Sequence, residues 1–154
     1  MIIKHMNIVL ADDDNDDCIF FKDALAALSI SANLTVVHDG EELMQLLTNT
    51  SIELPHILFL DINMPRKNGF ECLTEIKLNH HLREFPVVIF STSYEKEMVN
   101  ILYDSGAQYF IRKPSEFTSF KKIILHTLKL IAAGNIAQPT RGEFVLTAGN
   151  SFVI

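Results

Sequence analysis

Five short apolar runs punctuate the chain, at residues 8–11, 34–37, 57–60, 87–90 and 109–111. Each has the length of one strand. Each is continuous rather than alternating, the pattern of strands covered on both faces within a parallel sheet. The segments between them carry helical spacing instead. Phe21, Leu25 and Leu28 stand at i, i+4 and i+7 in the first, and Leu43 and Leu47 mark the second. The third, 67–79, holds Phe70, Leu73 and Ile76; the fourth holds Met98, Ile101 and Leu102. In the fifth, Phe117, Phe120, Ile124, Leu128 and Ile131 form an inward stripe. Strict β-α alternation, five times over, predicts an α/β fold: a doubly wound, five-stranded parallel sheet with right-handed crossovers.

After about Gly134 the pattern changes. Gly134, Pro139, Gly142 and Gly149 surround one apolar run, Phe144-Val145-Leu146. The expected organisation is a compact domain over 1–133 and a partly ordered tail over 134–154. Composition agrees with one domain: 154 residues, 48% hydrophobic and 21% charged, leave no room for wholesale disorder. The net charge of −6, with no basic cluster longer than Lys121-Lys122, argues against direct DNA binding through phosphate neutralisation. No apolar run approaches the roughly 18 residues of a membrane span, and no cleavage site follows Met1, so a cytoplasmic location is expected. Cys18 and Cys72 lie in predicted helices and are expected as reduced core thiols; the six histidines match no metal spacing.

In an open parallel sheet, ligands bind beyond the carboxyl ends of the strands. Those ends are chemically loaded here. The first strand runs into Asp12-Asp13-Asp14, the third into Asp61, the fourth into Ser91-Thr92-Ser93 and the fifth into Lys113-Pro114. Carboxylates converging on one edge raise one another's pKa unless a cation holds them ionised, and an all-oxygen donor set suits a hard divalent metal such as Mg²⁺. Asp14, Asp16 and Asp17 are expected to serve a helix N-terminus instead, as caps and dipole partners. A carboxylate nucleophile, a metal, a hydroxyl (Ser91) and an ammonium (Lys113) together suit a phosphoryl group.

These motifs, in this order, resemble the receiver domain of two-component response regulators over residues 7 to about 131: the acid pair Asp12-Asp13, Leu60-Asp61-Ile62-Asn63-Met64-Pro65 with Gly69, then Ser91, then Lys113-Pro114. The resemblance implies the flavodoxin-like strand order 2-1-3-4-5. It implies that Asp61 accepts the phosphoryl group, and that Asp13 and Asp61 bind Mg²⁺ directly, Asp12 largely through water and Asn63 through its backbone carbonyl. Ser91 and Lys113 would contact the phosphoryl oxygens. Phe110 would take the aromatic switch position, moving inward together with Ser91; Asn63, Thr92 and Ser93 would tune hydrolysis, and Lys113-Pro114 would be a cis peptide. The stretch 48–55 and the tail look closer to stand-alone regulators partnered with phytochrome-type and related sensor kinases.

On this basis the chain is expected to be a phosphoacceptor signalling protein and not an enzyme, limited to Mg²⁺-dependent self-phosphorylation and slow autodephosphorylation. A sensor histidine kinase or phosphotransfer protein would be its donor, and a downstream protein its target. Two alternatives are a phosphorylation-independent binding module and a haloacid-dehalogenase-type phosphatase using Asp12-x-Asp14. The second expects an acidic pair after the lysine, where only Glu116 and Glu143 remain. On the fifth helix Ile123 and Leu130, seven residues apart, form a second apolar line outside the inward stripe and need cover. The preferred expectation is a homodimer through helix 4, strand 5 and helix 5; the alternative is the chain's own Phe144-Val145-Leu146.

Overall fold

A computed structural model describes residues 4–49, 51–134 and 137–147. Its elements, in chain order, are β1 (Met6–Ala11), α1 (Asn15–Ala27), β2 (Ala32–Val37), α2 (Gly40–Leu47), β3 (Ile57–Leu60), α3 (Gly69–Leu78), β4 (Val87–Ser91), α4 (Lys96–Asp104), β5 (Tyr109–Arg112), α5 (Phe117–Ala132) and β6 (Val145–Leu146), with a 3-10 turn over Arg141–Glu143 before the last. The sheet order is β2-β1-β3-β4-β5-β6 and every pairing is parallel. The first five strands take the expected order. The sixth is the departure.

Successive side chains of a strand point to opposite faces, so each interior strand feeds two cores. Val9, Leu58, Leu60 and Ile89 pack with α2, α3 and α4. Ile8, Leu10, Phe59 and Phe90 pack with α1 and α5, where the Phe21, Phe59, Phe90 and Phe120 rings meet edge to face. Helix starts are written locally. Asp14 caps α1 by accepting from the amides of Asp16 and Asp17, Asp39 caps α2, and Asn68 with Glu71 forms a capping box on α3.

Three local expectations change. β2 lies at the sheet edge and alternates between exposed and half-buried residues instead of being buried on both faces, because no strand covers its outer side. In α4 the inward residues are Val99 and Leu102, whereas Ile101 is 46% exposed. Ile123 is fully buried and Leu130 half-buried, both in the core that also holds Leu146. That second apolar line therefore has its cover within the chain and does not by itself call for a dimer.

The tail joins both cores. Phe110 N donates to the Phe144 carbonyl at 3.0 Å, and β6 continues the sheet beside β5 in the register Phe110↔Val145. Phe144 enters the α2–α3–α4 core against Tyr103, ring centroids 5.1 Å apart, while Leu146 enters the opposite core. Tyr103 OH donates to the Pro139 carbonyl at 2.7 Å and Arg141 pairs with Asp104 at 2.6 Å. Residues 148–154 of the expected tail lie outside the described residues.

Candidate functional site

Asp12 follows β1 directly, and its amide donates to the Val37 carbonyl at 3.0 Å, which ties the strand end to β2. Its carbonyl accepts from His38 Nδ1 at 3.1 Å and its Oδ1 accepts the Asp14 amide at 3.0 Å. The side chain is fully buried. Asp61 follows β3 in the same way, its amide donating to the Ala11 carbonyl at 2.9 Å. Behind it, Gly69 N donates to the Ile62 carbonyl at 2.8 Å, and a Cβ on Gly69 would come within 2.2 Å of the Asp61 carbonyl oxygen. Only glycine lets α3 start this close to the end of β3.

From the other side of the sheet, Lys113 N donates to the Ser91 carbonyl at 2.8 Å, and the Ser91 hydroxyl accepts the Ser93 amide at 3.2 Å. Among the described residues no peptide bond is cis, so Lys113–Pro114 is trans, contrary to expectation. Trans is the form X–Pro bonds favour by about 0.5–1 kcal/mol. The lysine side chain, 6% exposed, runs inward to place Nζ 2.6 Å from Asp12 Oδ2, 2.8 Å from Asp17 Oδ2 and 3.9 Å from Asp61 Oδ2.

Three carboxylates thus face one ammonium, with that of Asp13 close by. Burial pushes the Asp61 pKa up to about 7; the Lys113 charge opposes this, the Asp12 charge adds to it, and the Ile62 and Asn63 amides hydrogen-bond the carboxylate and lower it. For Lys113, burial acts against the ammonium, but the hydrogen bonds to Asp12 and Asp17 and the attraction of Asp61 outweigh it, so its pKa is raised. Asp12, Asp13 and Asp61 each present a carboxylate oxygen, all within 4.8 Å of one another. An oxygen-only set with excess negative charge fits a hard divalent cation.

The structure brings Asp12, Asp13, Asp61, Ser91 and Lys113 to one edge. Asn63 and Ser93 are exposed and border a cavity of about 130 Å³ that also touches Ile62, Ser91, Glu95, Met98 and Phe110. Thr92 is exposed beside it, and Phe110 is already buried, at 1% exposure. Asp14 is occupied as the α1 cap, which removes the second carboxylate that an Asp12-x-Asp14 phosphatase pair would need. Asp17 is the residue sequence reasoning missed, since it pairs with Lys113 across the sheet edge instead of serving only its own helix. No local signal marked it, because the partner that draws Asp17 away from its helix lies 96 residues along the chain. Cys18 and Cys72 are buried free thiols, with pKa values pushed up by burial to about 11 and about 12. Among the described residues no helix is long and apolar enough to cross a membrane.

Comparison with known proteins points the same way. The chain is 28% identical over 121 residues to the response regulator Rcp1 of Synechocystis sp., covering 76% of this chain and 82% of that protein. The phosphorylated cyanobacterial phytochrome response regulator RcpA superimposes with a TM-score of 0.77 at 28% identity, over 84% of this chain and 96% of that one. The Mn²⁺-bound form of Rcp1 gives 0.71 at 26%, covering 88% and 97%. The bacteriophytochrome response regulator AtBRR gives 0.64 at 30%, covering 79% and 91%. Residues 8–125 match the response regulator receiver domain. With the sheet order, the acid cluster and the lysine in place, the chain belongs to the response regulator receiver family.

Proposed function

We propose that this receiver takes a phosphoryl group on Asp61 from the phosphohistidine of a sensor histidine kinase or phosphotransfer protein, in the cytoplasm, and signals through the resulting change of surface. The observation that carries this is the convergence of Asp12, Asp13 and Asp61 within 4.8 Å, with the Lys113 ammonium 3.9 Å from Asp61. Asp61 attacks phosphorus; the P–N bond to the donor imidazole breaks as the new P–O bond forms, and the imidazole leaves with a proton from solvent. Lys113 and the Ser91 hydroxyl donate to phosphoryl oxygens. Asp13 and Asp61 would hold Mg²⁺ directly, with Asp12 acting through water and the Asn63 carbonyl completing the protein ligands. The bound ion supplies positive charge to the phosphoryl oxygens and keeps the carboxylates ionised.

Ser91 and Phe110 are the switch pair, and Asn63, Thr92 and Ser93 control the approach of hydrolytic water. Phosphorylation biases a two-state element by whatever it gains from Ser91 and Lys113 in one state over the other. The names of RcpA and AtBRR favour a phytochrome-type kinase as donor. The downstream partner is a protein, since a net charge of −6 disfavours DNA. A homodimer through α4, β5 and α5 would have to assemble over the tail.

Incubation with Mg²⁺ and acetyl phosphate, followed by intact mass, tests the assignment. One base-labile phosphoryl group is expected on the wild type and none on Asp61→Asn. Equal labelling of the two proteins would overturn it.

A further inference from the structure

An ammonium has three N–H donors and no acceptor, so its orientation is set by the groups that take its protons. For Lys113, Asp12 Oδ2 takes one at 2.6 Å and Asp17 Oδ2 a second at 2.8 Å. Asp61 Oδ2, at 3.9 Å, is beyond hydrogen-bond distance but within ion-pair reach. With Asp12 alone, the ammonium is free to turn about a single hydrogen bond. With two carboxylates engaged, the direction of its third N–H is fixed.

Asp17 is itself held in place. Its amide donates to Asp14 Oδ1 at 3.2 Å, so the cap that starts α1 also sets the residue that reaches Lys113. Its side chain is 38% exposed, while that of Asp12 is wholly buried. The buried carboxylate anchors the ammonium and the half-open one orients it.

We infer that Asp17 is a positioning residue for phosphoryl transfer, which together with Asp12 holds the Lys113 ammonium so that its third N–H faces Asp61 and any phosphoryl group carried there. This role presupposes Asp61 as the acceptor. A donor aimed in advance needs no reorganisation as charge develops on the transferred group. The Asp17 carboxylate also sits in the first turn of α1, where it favours the helix dipole, so the test must separate orientation of Lys113 from support of the helix.

Asp17→Ala removes the acceptor, and Asp17→Asn keeps a neutral one. In metal-free protein, the Lys113 ammonium is expected as a resolved ¹H–¹⁵N signal in the wild type, weakened in the Asp17→Asn variant and lost to solvent exchange in Asp17→Ala. With Mg²⁺ titrated to saturation in each variant, phosphorylation by acetyl phosphate is expected to slow about tenfold in Asp17→Ala, the scale of one charge-assisted hydrogen bond, with partial recovery in Asp17→Asn. In a Lys113→Met background, Asp17→Ala should have no further effect. An unchanged ammonium signal, an equal or faster rate in Asp17→Ala, or a full effect that persists without Lys113 would overturn the role and leave only helix support. A wild type that takes no phosphoryl group would refute Asp61 as acceptor, and the ammonium spectrum would still decide how Lys113 is held.

Discussion

At the carboxyl edge of the sheet, Lys113 reaches Asp12 and Asp17 across 101 and 96 residues of chain, and the attraction is one of charge. At the β5–β6 edge, Phe144 and Leu146 close a contact between other distant segments, by apolar burial and by a backbone hydrogen bond to Phe110. The first region crowds carboxylates around one ammonium and drives the Asp61 pKa up to about 7, chiefly by burial. The second satisfies its polar groups and fills both cores. Charge is concentrated at the first edge and apolar burial at the second. The two should therefore separate under mutation.

The largest expected effect is at Asp61. Asp61→Asn should abolish acyl-phosphate formation while leaving the metal-free protein at least as stable as the wild type near neutral pH. A buried carboxyl with its pKa raised to about 7 from 3.8 keeps a proton that the unfolded chain has released. Metal-free wild type should accordingly lose stability as pH rises from about 4 to about 7 and remain penalised above that, and Asp61→Asn should lose this component of the slope. Thermal melts in chelator across that range measure it, and identical slopes in the two proteins would remove the distinction between the regions.

Next in size is Phe144→Ala. Loss of this fully buried ring should cost about 3–5 kcal/mol in chemical denaturation, with the rate of phosphorylation retained. Deletion after Ala133 should cost at least as much. A parallel fall in phosphorylation rate would show that the tail edge and the carboxyl edge are coupled.

At the amino end of β5, Gln108 Oε1 accepts the Val87 amide at 2.7 Å, and Gln108→Ala should cost about 1–3 kcal/mol by leaving that amide unpaired. Its acyl phosphate should decay at the wild-type rate. The smallest effect is reserved for Thr92→Ala. Opening the approach of water should shorten the acyl-phosphate lifetime by about threefold, less than the tenfold that 1.36 kcal/mol represents, with no change in melting temperature. An unchanged decay rate would dispense with steric control by Thr92.

The strands and the gathering of polar residues at the carboxyl edge were legible in advance because both follow from local rules. Ile57 to Leu60 must be continuously apolar to be covered on two faces, and a parallel sheet sends Asp12, Asp61, Ser91 and Lys113 to the same edge whatever the details of packing. Gly69 belongs with them, since the contact that excludes a Cβ is with the carbonyl of Asp61, eight residues earlier. Helical period says which face a residue occupies, but not what lies over it. Ile123 looked uncovered for that reason, although the core holding Leu146 encloses it.

What tertiary structure alone decided were choices among distant partners. Phe144-Val145-Leu146 could meet another copy or its own sheet, and the open edge of β5, with Tyr103 beside it, took it in. Asp17 had a sufficient local use in the first turn of α1, and only the inward path of Lys113 gave it a second one. β2 reads like its neighbours, yet it lies at an edge and is exposed accordingly. Apolar runs and strand ends are properties of a few consecutive residues, and the amino-acid sequence states them by itself. An ion pair across 96 residues, or a strand added at one edge, depends on which groups are still unsatisfied once the rest of the chain has packed.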